Sequence, residues 1–370
     1  MGDQDTPDSW QEKHGVAYYA ELLPRIAQIS LTISPLEAIP IHFTRISSSK
    51  IYIKTTSDSV ATIITLPGST TKYVPISLQQ LCQHNGDTKT GSVGLKAERD
   101  EREAHIVPLS AGQLTDCKAV QCRKCGADLL KDDIKFLDLP SENWYELLDY
   151  WHCHKPDHDH GHGAQNSLSK SALKPRKSLA LVGLAYMMAV NDDFVSESIQ
   201  VSDGQYKEVV CSACCSDVGV LDKVDPSITK LYKWNIMVES RRSINDRISS
   251  IQYPPEVYLA EMLLEVIDFH STHRFSIAAH DDKQKILVYL WVFSSDITYT
   301  SNFHPEPIRA MKVFYTKQAE VSNPEIATEN IDLPLSIINE FLGVLDTRNK
   351  ELPASLRAFG KWNVSLLHRL

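Results

Sequence analysis

Two short cysteine hairpins of the same spacing constrain this chain more than anything else in it. The first reads Cys122-Arg123-Lys124-Cys125-Gly126-Ala127-Asp128-Leu129, the second Cys211-Ser212-Ala213-Cys214-Cys215-Ser216-Asp217-Val218. Aligned, both cysteines, the aspartate and the aliphatic residue coincide. Two residues between thiolates let a tight turn aim both sulfurs at one ion, with backbone N–H groups left to hydrogen-bond them. Zn²⁺ takes four such ligands in a tetrahedron at about 2.3 Å. Cys122, Cys125, Cys211 and Cys214 are therefore the expected ligands of one structural zinc ion, with Cys215 as an alternative to Cys214. The long stretch between the pairs can loop out, because closure entropy grows only logarithmically with length. The competing reading is two unrelated buried thiol pairs. A thioredoxin-like role is disfavoured, since neither pair opens a helix after a clear strand.

The compartment bears on that reading. Residues Met1 to Gly15 are polar and acidic, with no apolar signal-peptide core, which points to an intracellular protein. Eight cysteines in a reducing compartment argue for metal or thiol chemistry over disulfides. Lys and Arg number 38 against 47 Asp and Glu, a net charge of −9. Such a chain is a poor partner for nucleic acid by phosphate neutralisation, and no direct nucleic-acid contact is expected. The longest apolar run, Leu179 to Val190, is too short to span a bilayer, so no membrane partner is expected.

The pattern along the chain predicts an α+β protein in three parts. After a flexible tail at 1–14, residues 15–116 read as a β-rich sandwich or barrel. Ile29, Leu31 and Ile33 alternate with polar neighbours, as do Ile51 and Ile53, and Val60 to Leu66 and Tyr73 to Ile76 are β-branched. Residues 117–225 form a zinc-knuckle region with a mobile His-rich loop at 155–177. The run Leu179 to Val190 is ambiguous between strand and helix, with strand character favoured in part. Residues 226–370 read as a mixed α+β domain. Pro255 opens a helix whose apolar face carries Val257, Leu259, Leu263, Leu264 and Ile267. Ile286 to Phe293 and Ile308 to Tyr315 read as strands, and Leu335 to Leu345 returns to helical spacing.

Ser141 to His154 forms a second chemical cluster: Ser-Glu-Asn-Trp-Tyr-Glu-Leu-Leu-Asp-Tyr-Trp-His-Cys-His. Ser141 suits an N-cap and Pro156 ends the helix. Trp144, Leu147, Leu148 and Trp151 share a face, which is the pattern of core packing. At the helix exit, His152, Cys153 and His154 fit three chemistries. An imidazole could activate Cys153 as a nucleophile, the three could bind a second metal, or they could lie against a partner's site. A buried thiol with two hydrogen-bonded imidazoles fits the pattern as well. The alternating His158, His160 and His162 carry no assigned role.

Residues Asn143 to Pro156 resemble the HECT-like, ubiquitin-conjugating-enzyme-binding ubiquitin ligases. The two knuckles, Leu231-Tyr232-Lys233-Trp234 and Arg309 to Tyr315 are similar to that family too, so the likeness covers most of the chain. It implies a protein of cytoplasm and nucleus that engages a ubiquitin-conjugating enzyme and promotes ubiquitin transfer to protein lysines, with Cys153 as the candidate acceptor and His152 or His154 assisting. Fungal relatives are linked to pre-mRNA cleavage and polyadenylation. The resemblance therefore also implies a non-catalytic alternative, an assembly factor or inhibitor of the metallo-β-lactamase-type 3′-end endonuclease.

Overall fold

Residues far apart in sequence share strands from the outset: Tyr19 pairs with Ser301 and Leu22 with Thr298 in antiparallel register. The computed structural model describes residues 17–34, 41–55, 62–71, 91–98, 106–140, 174–203, 207–244, 247–280, 282–317 and 327–370. They fall into two units, Met1–His105 with Thr272–Leu370, and Ile106–Ser271. The expected tail, the strand expected at Tyr73 to Ile76, the segment Ser141 to His154 and the His-rich loop through 173 lie outside the described residues. No helix among the described residues is long and apolar enough to cross a membrane.

In the first unit, the described residues give a nine-stranded sheet. Its main path runs Ala358–Phe359, Trp362–His368, Ile308–Thr316, Asp282–Ser301, Ala17–Leu23, Gln28–Ser34 and Gly91–Lys96. Arg274–Ala279 also pairs with Asp282–Ser301, and Glu329–Leu333 lies parallel beside it. The twenty-residue strand serves several partners because bulges near Ser294 bend it, and a bulge adds twist. Ile41–Ile46, Lys50–Thr55 and Thr62–Thr65 make a separate three-stranded sheet. Ile51 and Ile64 from that sheet pack in one apolar cluster with Ala20, Ile29, Leu31, Ile33 and Leu95 of the larger sheet. Alternation dictates this: one face of Gln28–Ser34 is wholly apolar, and burying each such side chain contributes about 1.5–3 kcal/mol. Helix α2 (Leu335–Glu351) buries Ile337, Ile338, Phe341 and Leu345, the stripe that helical periodicity requires.

The α+β class holds, but the expected boundaries at 116/117 and 225/226 do not match the two units. The N-terminal strands are not a sandwich or barrel of their own, because Ala17–Leu23 hydrogen-bonds to Asp282–Ser301.

The second unit contains a seven-stranded sheet among its described residues. Its order is Ile199–Val201, Glu208–Cys211, Asp217–Leu221, Ile228–Tyr232, Tyr186–Val190, Leu179–Val182 and Lys135–Asp138. Beside it, Arg247–Ile251, Ile236–Ile244 and Cys117–Cys122 form a three-stranded sheet. The ambiguous run Leu179 to Val190 is a hairpin, with Val182 opposite Met187. Helix α1 (Pro255–His270) starts at Pro255, as expected, and buries Val257, Leu259, Leu263 and Ile267.

Candidate metal centre

Each cysteine hairpin closes a strand of a different sheet: Cys122 ends Cys117–Cys122, and Cys211 ends Glu208–Cys211. Their backbones fold alike. The Cys122 N–H donates to the Ala127 carbonyl at 2.9 Å, and the Gly126 N–H to the Cys122 carbonyl at 2.8 Å. In the second hairpin the Cys211 N–H donates to the Ser216 carbonyl at 2.9 Å, and the Cys215 N–H to the Cys211 carbonyl at 2.8 Å. Asp128 bridges back to Gln121, as Asp217 does to Val210. Leu129 and Val218, the matched aliphatic residues, are fully buried and anchor the two turns.

The hairpins meet sulfur to sulfur. Cys122 Sγ lies 3.7 Å from Cys214 Sγ, and Cys125 Sγ lies 3.7 Å from Cys211 Sγ. All four sulfurs fall within 4.8 Å of one another. A tetrahedron with vertices about 2.3 Å from its centre has edges of about 3.8 Å, so the spacing suits a tetrahedral zinc–thiolate centre. The donor set, four sulfurs with no carboxylate or imidazole, also fits that ion.

Donors around the sulfurs favour the thiolate form. Backbone N–H groups of Ala213 and Cys214 point to Cys211, and those of Ala127 and Ser216 to Cys125 and Cys214. The Ser216 hydroxyl sits 2.8 Å from Cys214 Sγ and 3.5 Å from Cys122 Sγ, touching one sulfur of each hairpin. That hydroxyl bond is the main reason the Cys214 thiol falls to about 6. Burial pushes Cys211 up to about 12.

The first hairpin is tied to an aromatic stretch that the sequence also singled out. Arg123 donates to the Trp234 carbonyl at 2.9 Å, and its N–H to the Asn235 carbonyl at 3.0 Å. Trp234 stacks on Tyr232 at 4.9 Å and meets the edge of Tyr258 from α1. Between them, Lys233 is fully buried and donates its ammonium to the Pro108 carbonyl at 3.0 Å. Burial pushes its pKa down to about 7.

The structure thus brings Cys122, Cys125, Cys211 and Cys214 together. Cys215, the alternative ligand, is exposed and stands outside the cluster, as does Cys117. His152, Cys153 and His154, with His158, His160 and His162, lie outside the described residues. Sequence reasoning passed over Ser216, although alignment of the hairpins carried its signal: the same position holds Ala127 in the first.

A family model described as HECT-like ubiquitin-conjugating enzyme (E2)-binding matches residues 21–364. An uncharacterized protein of Saccharomyces cerevisiae is 26% identical over 363 residues, covering 95% of this chain and 98% of the relative. The E3 ubiquitin-protein ligase E3D of Mus musculus is 26% identical over 340 residues, covering 83% of this chain and 85% of its own. Its Homo sapiens counterpart is 26% identical over 303 residues, 70% of this chain and 74% of that relative. No solved structure matches the chain significantly.

Proposed function

The chain belongs to the HECT-like, ubiquitin-conjugating-enzyme (E2)-binding family, and from that premise we propose that it is a ubiquitin-protein ligase that holds a charged conjugating enzyme while ubiquitin passes to a protein lysine. The family match over residues 21–364 carries this reading, and mammalian relatives named E3 ubiquitin-protein ligase E3D support it. Positioning alone can supply much of the rate, because orienting two reactants converts an encounter into an intramolecular step.

Where Cys153 takes part, its thiolate attacks the thioester carbonyl of the charged enzyme and expels that enzyme's cysteine thiolate. A lysine amine then attacks the new thioester, an isopeptide bond forms, the amine loses a proton and Cys153 leaves as thiolate. Incubating the purified protein with charged conjugating enzyme and a lysine substrate tests the reading. Substrate modification that depends on the protein supports it, and no acceleration over the conjugating enzyme alone removes it. Cys153→Ala separates the two modes, since unchanged transfer leaves orientation as the mechanism.

The four thiolates hold one zinc ion in this reading. Bound there, zinc supplies no reaction step; it joins two strand ends from different sheets and contributes to folding, because the unfolded chain has no preformed site. The endonuclease-binding alternative rests on sequence resemblance alone, since the fungal relative is uncharacterized.

A further inference from the structure

Among the described residues, Phe293 and Phe359 are the exposed aromatic side chains, at 54% and 56%. They belong to one stripe. Phe314 lies between them with near-parallel rings at 5.0 Å and 5.1 Å. Trp291 meets Phe314 edge-on at 5.1 Å and stands 6.2 Å from Trp362. Strand register builds this stripe. Trp291 is opposite Phe314, Phe359 is opposite Trp362, and Phe293, at the register shift after Val292, places its ring 6.1 Å from that of Trp291.

Arg274 completes the stripe, its guanidinium 4.6 Å over Trp291 and 5.6 Å from Trp362. No carboxylate among the described residues pairs with it. In a chain of net charge −9, a cation laid on tryptophan with no carboxylate partner among the described residues is a group that an acidic partner can meet. Aromatic rings with arginine are the composition of binding hot spots, and rings fixed by strand register lose little freedom on binding.

We propose that this stripe is the docking surface for the ubiquitin-conjugating enzyme, which brings an apolar side chain for the ring ladder and a neighbouring carboxylate for Arg274. The proposal rests on the family's conjugating-enzyme binding, and every residue of the stripe falls within the matched span 21–364. The two exposed phenylalanines receive the apolar group, and Arg274 fixes its orientation.

The test uses the full chain and the double variant Phe293→Ser with Phe359→Ser, with the single variant Arg274→Gln as a second probe. Both phenylalanines are about half exposed, so the double variant should stay folded with its melting temperature lowered by a few degrees at most, and Arg274→Gln tests the surface without removing a ring. Binding to each purified ubiquitin-conjugating enzyme of the protein's own source organism, free and ubiquitin-charged, is measured by biolayer interferometry. The expected result is binding by the unaltered protein, weakened at least tenfold in the double variant and severalfold in Arg274→Gln. Binding within twofold of the unaltered protein overturns the docking surface and leaves the family reading standing. No binding by the unaltered protein overturns both. A sedimentation run identifies one more contrary outcome: self-association lost in the double variant, with conjugating-enzyme binding intact, makes the stripe a contact between copies.

Discussion

Gly126 and Cys215 occupy the same position in the two cysteine hairpins, and both hold left-handed backbone, with φ of +75° and +56°. The turn demands that conformation after the second ligand. Glycine adopts it freely, whereas a residue with a Cβ is strained by about 1–2 kcal/mol. Cys215→Gly should therefore stabilise the protein by about 0.5–1 kcal/mol, after glycine's greater unfolded freedom is subtracted. Gly126→Ala should cost about 1 kcal/mol, from conformation alone, because nothing lies within 4 Å of the added methyl. Denaturant melts of both variants check the pair of signs.

Ser216 gives a prediction about metal. Its hydroxyl reaches Cys214 and Cys122, so it offsets charge on one sulfur from each hairpin. Removing a partner of this kind commonly lowers metal affinity 10–100-fold. Ser216→Ala should do so without misfolding, since alanine already stands at the matching position 127. Competition against a chelator of known affinity reads the change.

Gly219 leaves no room for substitution. A Cβ there would meet the Lys230 carbonyl oxygen at 2.0 Å, inside the ladder between Asp217–Leu221 and Ile228–Tyr232. Gly219→Ala should destabilise by about 3 kcal/mol, since the two strands must separate at this pair to admit the methyl. Thermal melting checks it, and a loss of under ~1 kcal/mol would contradict the register.

Buried Lys233 sets a pH dependence. Its pKa is pushed down to about 7 in the folded protein, against 10.5 ordinarily. Between those values the unfolded chain holds a proton that the folded chain lacks, so this group makes stability rise with pH from about 7 to 10.5. Below 7 both states are protonated and its contribution stops changing. Lys233→Met keeps the unbranched shape, and should flatten that slope and raise stability at pH 7 by ~1 kcal/mol or more. Urea unfolding at pH 7 and pH 9.5 supplies the comparison.

The parts of this fold that were legible in sequence have local causes. The paired sulfurs showed through spacing, Ile29, Leu31 and Ile33 through alternation, and α1 through Pro255 at its first turn. What stayed hidden depends on partners far along the chain. Nothing near Tyr19 announces Ser301, so by sequence alone the N-terminal strands look like a domain of their own. The hairpin within Leu179 to Val190 was obscured because Leu181, Val182, Met187 and Ala189 are all buried, leaving no polar alternation around the turn. Ser216 looks like any serine until the second sulfur, 94 residues away, is beside it.

The claim that two distant hairpins grip one ion is tested most directly by the native mass of the purified protein, taken before and after a strong chelator. The account predicts a species heavier than the polypeptide by one zinc ion, which the chelator strips with loss of folded structure, and which Cys122→Ser and Cys211→Ser fail to retain. A folded, unaltered protein that carries only the mass of its polypeptide, with the same melting temperature in chelator, would contradict it.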